Sequence, residues 1–215
     1  KCLSLVSPDA ERTMLTDLGT SVLLPDLSHF IPQIQQAQVF YSTGYLLLGD
    51  PMKTRLYEAI AAAKAANVPF AFDVADPFVV HATKEDMTQL IKEHADIIFL
   101  NEEEAKAMTG KESGEEAIEE LKNICDTVVV KLGSKGSIVF SKGQEATADI
   151  YRVDAVDTTG AGDSFAAGFL YGWTNGWDLE RSMRLASRIA AETVSQLGAV
   201  VRDRSRLAKA ISEIQ

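Results

Sequence analysis

The chain has 215 residues, 46% of them hydrophobic and 24% charged, with a formal net charge of −10. That is enough apolar material for one large domain with a buried core, and the charge is too ordinary for a disordered chain. The acidic balance argues against nucleic acid or an anionic membrane as a partner, while leaving room for a local pocket that takes an anionic substrate. No apolar run approaches the ~20 residues of a membrane span, and no signal-peptide pattern is visible, so the expected location is the cytoplasm.

The chain opens on "KCLSLVS", without a Met and in the middle of a strand pattern. This reads as a processed start or as part of a longer protein. "CLSLV" reads as a strand and "RTMLTDLG" as a second extended piece ending at Gly19. "VFYSTGYLLLG" is apolar and β-rich. "MKTRLYEAIAAAKAAN" repeats Leu56, Ile60 and Ala63 at helical spacing and stops near Asn67 and Pro69. "VPFAFDV" is a short buried strand, and residues 83–95 form an amphipathic helix with Met87, Leu90 and Ile91 on one face. "DIIFL" is a strand, "EEEAKAMTG" a short helix ended by Gly110, and a further helix runs from Gly114 to Cys125.

The pattern then changes. "TVVVKLG", "GSIVFS" and "ATADIYRV" read as three strands, followed by helices over roughly 162–175, 178–197 and 203–214. Repeated strand–helix units, a β meander and a helical C-terminus predict an α/β fold with a largely parallel sheet. Sites in such folds lie at the carboxyl ends of strands. No repeat, low-complexity run or long linker divides the chain, which reads as one domain over 1–215.

Few residues suggest metal or redox chemistry. Cys2 and Cys125 are far apart, lie in apolar runs and lack a CxxC partner, so both read as small buried hydrophobes. His29, His81 and His94 are isolated. Trp173 and Trp177 read as packing residues at a helix end.

The chemistry concentrates in "DTTGAGDSFAAGF". The bland reading of Gly160-Ala161-Gly162-Asp163 is a tight strand-to-helix turn. The sharper one is an anion cradle, because the first N–H groups of a helix are unpaired and carry partial positive charge. A carboxylate in the first turn, at Asp163, can then accept a proton from a hydroxyl. Cradle and base together suit phosphoryl transfer to an alcohol, a reaction governed by positioning and charge neutralisation. "GSKGS" lacks the P-loop pattern. "GAGDSF" lacks the third small residue and the later acid of a dinucleotide fingerprint, which counts against an NAD-dependent oxidoreductase.

Asn101 and Glu104 in "NEEEAKAMTG" fit a capping box, with Asn101 as N-cap and Glu104 three residues on; Glu102 and Glu103 read as solvated. Asp73 and Asp76 in "FDVADPF" either face the site or are turn residues before Pro77. Arg12 reads as an exposed strand residue.

The stretch "DTTGAGDSFAAGF" resembles the C-terminal signature of the ribokinase-like (PfkB) carbohydrate and nucleoside kinases. "IIFLNEEEAKAMTG", "VVVKLGSKGSIVF" and "SQLGAV" are similar to further family segments in order and spacing. "ERTMLTDLG" resembles the Arg-containing segment of the adenosine-kinase-like branch.

The resemblance implies a ribokinase-like fold, a central mostly parallel sheet with helices on both faces. It implies an ATP-dependent kinase that uses Mg²⁺ and K⁺ and phosphorylates a small sugar or nucleoside. In that reading Asp163 is the base, and the N–H groups of Ala161, Gly162 and Asp163 form the anion hole on a turn shaped by Gly160. Arg12 reaches the phosphoryl group. Lys131, Gly133, Gly136 and Ser187 lie on the nucleotide side, and Asn101 and Glu104 organise magnesium and the phosphates. Asp157, with the loop around Ser195 and Gly198, holds a monovalent cation. The resemblance also implies that the N-terminal part, with the first strands and the lid, is missing from this chain. The lid often forms the homodimer contact in relatives. A non-catalytic fragment that keeps the fold as a binding module is the alternative from another class.

Overall fold

The structure is a computed structural model, and it describes residues 1–7, 12–24 and 26–214. In chain order the strands are β1 (Cys2–Val6), β2 (Arg12–Thr16), β3 (Phe40–Thr43), β4 (Phe70–Asp73), β5 (Ile97–Asn101), β6 (Thr127–Lys131), β7 (Ser137–Ser141) and β8 (Gln144–Ala148). The helices are α1 (Ile31–Gln35), α2 (Met52–Ala65), α3 (Pro77–His94), α4 (Glu102–Thr109), α5 (Gly114–Leu121), α6 (Ala161–Thr174), α7 (Leu179–Val194) and α8 (Arg204–Ile214). Among the described residues no helix is long and apolar enough to cross a membrane.

The chain forms two compact units that interleave in sequence. One is drawn from Thr20–Gly133 and Ile138–Glu145, the other from Lys1–Gly19, Ser134–Ser137 and the stretch from Ala146 onward.

The first of these units is built on a mixed six-stranded sheet in the order β3-β4-β5-β6-β7-β8, the ends of β7 and β8 belonging to the other unit. Strands β3 to β6 are parallel, with Ala71 opposite Ile97 and Ile98 opposite Val128. Parallel strands covered on both faces must be apolar throughout, and β4 and the first four residues of β5 are buried at every position. The core joins Phe72, Met87, Leu90, Ile98, Leu100 and Val130. Each such side chain contributes about 1.5–3 kcal/mol through removal from water. β7 and β8 meet at Lys142-Gly143, both at positive φ, the geometry of a two-residue hairpin.

The second unit contains the two-stranded antiparallel sheet β1-β2 and the helices α6, α7 and α8. Its apolar interior comes from Phe165 and Phe169 of α6, Met183 and Leu185 of α7, and Ala210 and Ile214 of α8. In β1-β2 the large side chains Leu3, Leu5, Met14 and Leu15 are exposed.

Several elements depart from the expected bounds. The apolar run after Phe40 leaves the sheet at Gly44 and continues as a 3-10 turn to Leu48. A side chain at Gly44 would meet the Val74 carbonyl at 2.5 Å, so only glycine fits where the run turns. Helix α3 begins at Pro77, not near residue 83, because the Asp76 carboxylate accepts from Phe78 N and caps it; the non-helical Thr83 marks a kink within it. Helix α5 ends at Leu121, short of Cys125, and β8 ends at Ala148, short of Val153. Cys125 is buried, and burial raises its thiol to about 12, but Cys2 is exposed beside Thr16, against expectation.

Candidate active site

The unit with the helical C-terminus holds the glycine turn. Gly160 caps α6 at φ +78°, and a Cβ there would lie 2.4 Å from the Ala199 carbonyl. Only glycine fits both the left-handed backbone and that contact. The turn is anchored one step earlier by Asp157, 5% exposed. One of its carboxylate oxygens accepts from Thr159 N and the other from Gly198 N, each at 2.9 Å. The Asp157 and Val156 amides in turn donate to the Val194 carbonyl at the end of α7.

The helix entry is therefore held from both sides. Its own ladder starts where Ser164 N donates to Gly160 O at 2.9 Å. Ala161 N donates to Thr158 O at 3.2 Å, so this predicted anion donor is already engaged. Among the described residues the amides of Gly162 and Asp163 have no backbone acceptor and are the available pair. Asp163 is exposed in the first turn. Ser164 Oγ accepts from Thr193 Oγ1 of α7 at 2.8 Å, which fixes the residue beside it. The Thr159 hydroxyl is buried and has no hydrogen-bond partner among the described residues, a polar group at this turn that the sequence did not single out.

In the loop expected to close the cation site, the Ser195 hydroxyl donates to Glu192 O at 2.9 Å and accepts from Arg206 Nη2 at 2.7 Å. Ser187 is 8% exposed on α7. Gly136 turns at φ +94°, where a Cβ would meet the Ala148 carbonyl at 2.2 Å.

The sheet unit holds a different kind of site, made of side chains at the carboxyl ends of β4, β5 and β6. Asn101 caps α4 by accepting from Glu104 N at 2.8 Å. Glu104 answers by accepting from Asn101 N at 2.7 Å and from Asn101 Nδ2 at 2.6 Å, so the capping box is complete. Glu104 is only 3% exposed. Burial is the main force on it and lifts its carboxyl to about 7; Lys131 and the Asn101 amide oppose the rise, and Asp73 and Asp76 add to it. Lys131, at the end of β6, pairs with buried Asp73 at 3.1 Å. Asp73 thus belongs to the cluster, while Asp76 caps α3 and acts on Glu104 only through its charge. Glu103 is solvated as expected, but Glu102 is half-buried near Lys106. Gly133 opens a 3-10 turn just beyond Lys131. The backbone of Arg12 opens β2 opposite Val6; its side chain lies outside the described residues.

The sequence matches the pfkB family carbohydrate kinases over residues 1–204. The chain belongs to that family. It is 30% identical to an adenosine kinase of Saccharomyces cerevisiae over 92% of this chain and 62% of that protein. It is 31% identical to a 5-dehydro-2-deoxygluconokinase of Bacillus licheniformis over 76% of this chain and 52% of that one. The crystal structure of adenosine kinase from Sinorhizobium meliloti superposes with a TM-score of 0.92 at 32% identity, covering 99% of this chain and 65% of that one. The chain thus spans between half and two thirds of the length of these relatives, and it has their ribokinase-like α/β fold.

Proposed function

We propose that this chain carries the phosphoryl-transfer machinery of an ATP-dependent kinase that phosphorylates a hydroxyl of a sugar or nucleoside. The observation that carries the reading is the helix entry. An exposed carboxylate and two unspent amides sit on a turn whose backbone is locked by Ala199 and Asp157. Relatives named as kinases of adenosine and of a deoxygluconate support the acceptor class.

In this reading Asp163 takes the proton of the acceptor hydroxyl as its oxygen attacks the γ-phosphorus of ATP, and ADP leaves. The amides of Gly162 and Asp163 receive charge on the equatorial phosphoryl oxygens, helped by the positive end of α6. Arg12 is assigned to the same phosphoryl group. Lys131, Gly133, Gly136 and Ser187 are assigned to the nucleotide, and the protein is assigned to the cytoplasm.

A divalent cation is assigned to the cluster at Glu104. A buried carboxyl lifted to about 7, with a second buried carboxylate at Asp73 beside it, is a place where added positive charge would favour ionisation. Asn101 and Glu104 would hold Mg²⁺ with the phosphates; bound there, it neutralises phosphate charge. Asp157 and the backbone around Gly198 would hold K⁺, with Ser195 acting from behind.

The test is ADP release by the full-length protein with MgATP over a panel of ribose, fructose, adenosine and 2-deoxygluconate-type acceptors. Acceptor-dependent ADP release with a matching phosphate ester supports the reading. Nucleotide binding without turnover on any acceptor identifies a binding module instead.

A further inference from the structure

The loop that pins the glycine turn is itself held by one side chain outside every assigned role. Arg206, in the first turn of α8, spreads its guanidinium over the C-terminal end of α7. Nε donates to Glu192 Oε2 at 2.6 Å, Nη1 to Gln196 Oε1 at 3.0 Å, and Nη2 to Ser195 Oγ at 2.7 Å and Glu192 O at 3.2 Å. Gln196 passes the constraint on, donating from Nε2 to Val200 O at 2.9 Å. Between those two residues lie Gly198, whose amide holds Asp157, and Ala199, whose carbonyl stands where a Cβ at Gly160 would lie.

The fork is anchored at its base. Glu192 is buried and also accepts from Arg188, whose Nε donates to Glu213 of α8 at 3.3 Å. A planar guanidinium can satisfy a carboxylate, an amide oxygen, a hydroxyl and a carbonyl at once; an ammonium has no such fork.

We propose that Arg206 is a positioning residue for phosphoryl transfer. It holds residues 195–200 in the register that keeps Gly198 on Asp157 and Ala199 on Gly160, and so sets the direction of the α6 entry that carries Asp163. The proposal rests on the functional reading above, but its structural half can be tested without activity.

The experiment compares Arg206→Ala, Arg206→Lys and Arg188→Ala in the full-length protein. Amide hydrogen exchange is followed in segments 157–163 and 195–200, alongside kcat, KM for ATP and thermal stability. Arg206→Ala should speed exchange in both segments by on the order of tenfold, the scale of a lost charge-assisted hydrogen bond. Its kcat should fall by roughly tenfold to a hundredfold, as a misplaced base does, with little change in KM. Arg206→Lys should recover less than half of the lost exchange protection on a logarithmic scale. Arg188→Ala removes charge from the same Glu192 but touches no residue of the loop. It should lower stability while leaving exchange in 195–200 and kcat near wild type.

Unchanged exchange in both segments in Arg206→Ala overturns the proposal, whatever the activity. So does a loss of protection in Arg188→Ala equal to that in Arg206→Ala, which would mark a purely structural network. A wild-type protein without turnover overturns the functional reading instead, separately from the exchange result.

Discussion

The two units solve the same electrostatic problem with opposite materials. At the α6 entry, the glycine turn spends its buried carboxylate, Asp157, on backbone amides and leaves Asp163 exposed and two amides open. At the ends of β4, β5 and β6, the work is done by buried side chains: Glu104 is locked to Asn101, and Asp73 to Lys131. A site built on backbone amides is sensitive above all to shape. A buried side-chain site is sensitive to protonation and to added charge. Under the proposed function, the first would transfer the phosphoryl group and the second would handle the charged cofactor.

Stability measurements can break or sharpen that contrast. The largest effect is expected from Gly160→Ala, which needs φ +78° and places a methyl 2.4 Å from a carbonyl oxygen. It should cost about 3 kcal/mol by denaturant unfolding, with no dependence on pH between 5 and 8. A loss under about 1 kcal/mol would show that the turn relaxes.

A comparable effect, but one that varies with pH, is expected at Glu104. Its carboxyl lies at about 7 in the folded chain against an ordinary 4.5, so the native state binds the extra proton. The protonated form is the stable one below pH 4.5, and that contribution is lost as pH rises through about 7. Without added Mg²⁺, stability should fall over this window by up to roughly 3 kcal/mol through this group. Glu104→Gln should flatten that part of the profile, and Mg²⁺ with nucleotide should reduce the loss in the wild type. A wild-type profile whose slope matches that of Glu104→Gln would contradict the assignment.

The smallest effect is expected from Asn101→Ala. It removes the N-cap of α4 and a donor to Glu104, costing about 1 kcal/mol of stability. It should also weaken MgATP binding if the cluster serves the nucleotide.

Much of this was readable in one dimension because local chemistry decided it. Asn101 and Glu104 are three residues apart, and Gly110 ends α4 in the left-handed conformation. The helices after residue 160 fall within a few residues of their expected bounds. Where the reading stopped short, contacts from elsewhere in the chain decide. At Gly44 the Val74 carbonyl stands where a Cβ would lie, so the chain turns there on a glycine. Lys131 meets Asp73 across 58 residues, and no spacing rule connects them.

Arg206 falls in the helix expected over 203–214, and no local sequence pattern marks it out. Its role depends on where α7 ends and on which way Ser195 turns. The Asp76-Pro77 pair did carry a helix-start signal, and a turn reading hid it.

The central claim is that Asp163 moves the proton and does not hold the nucleotide. Turnover and MgATP affinity measured on the same preparation of full-length Asp163→Asn test it most directly. The account predicts a fall in kcat of about a thousandfold with the dissociation constant for MgATP and the melting temperature near those of the wild type. A variant that turns over at close to the wild-type rate would contradict it.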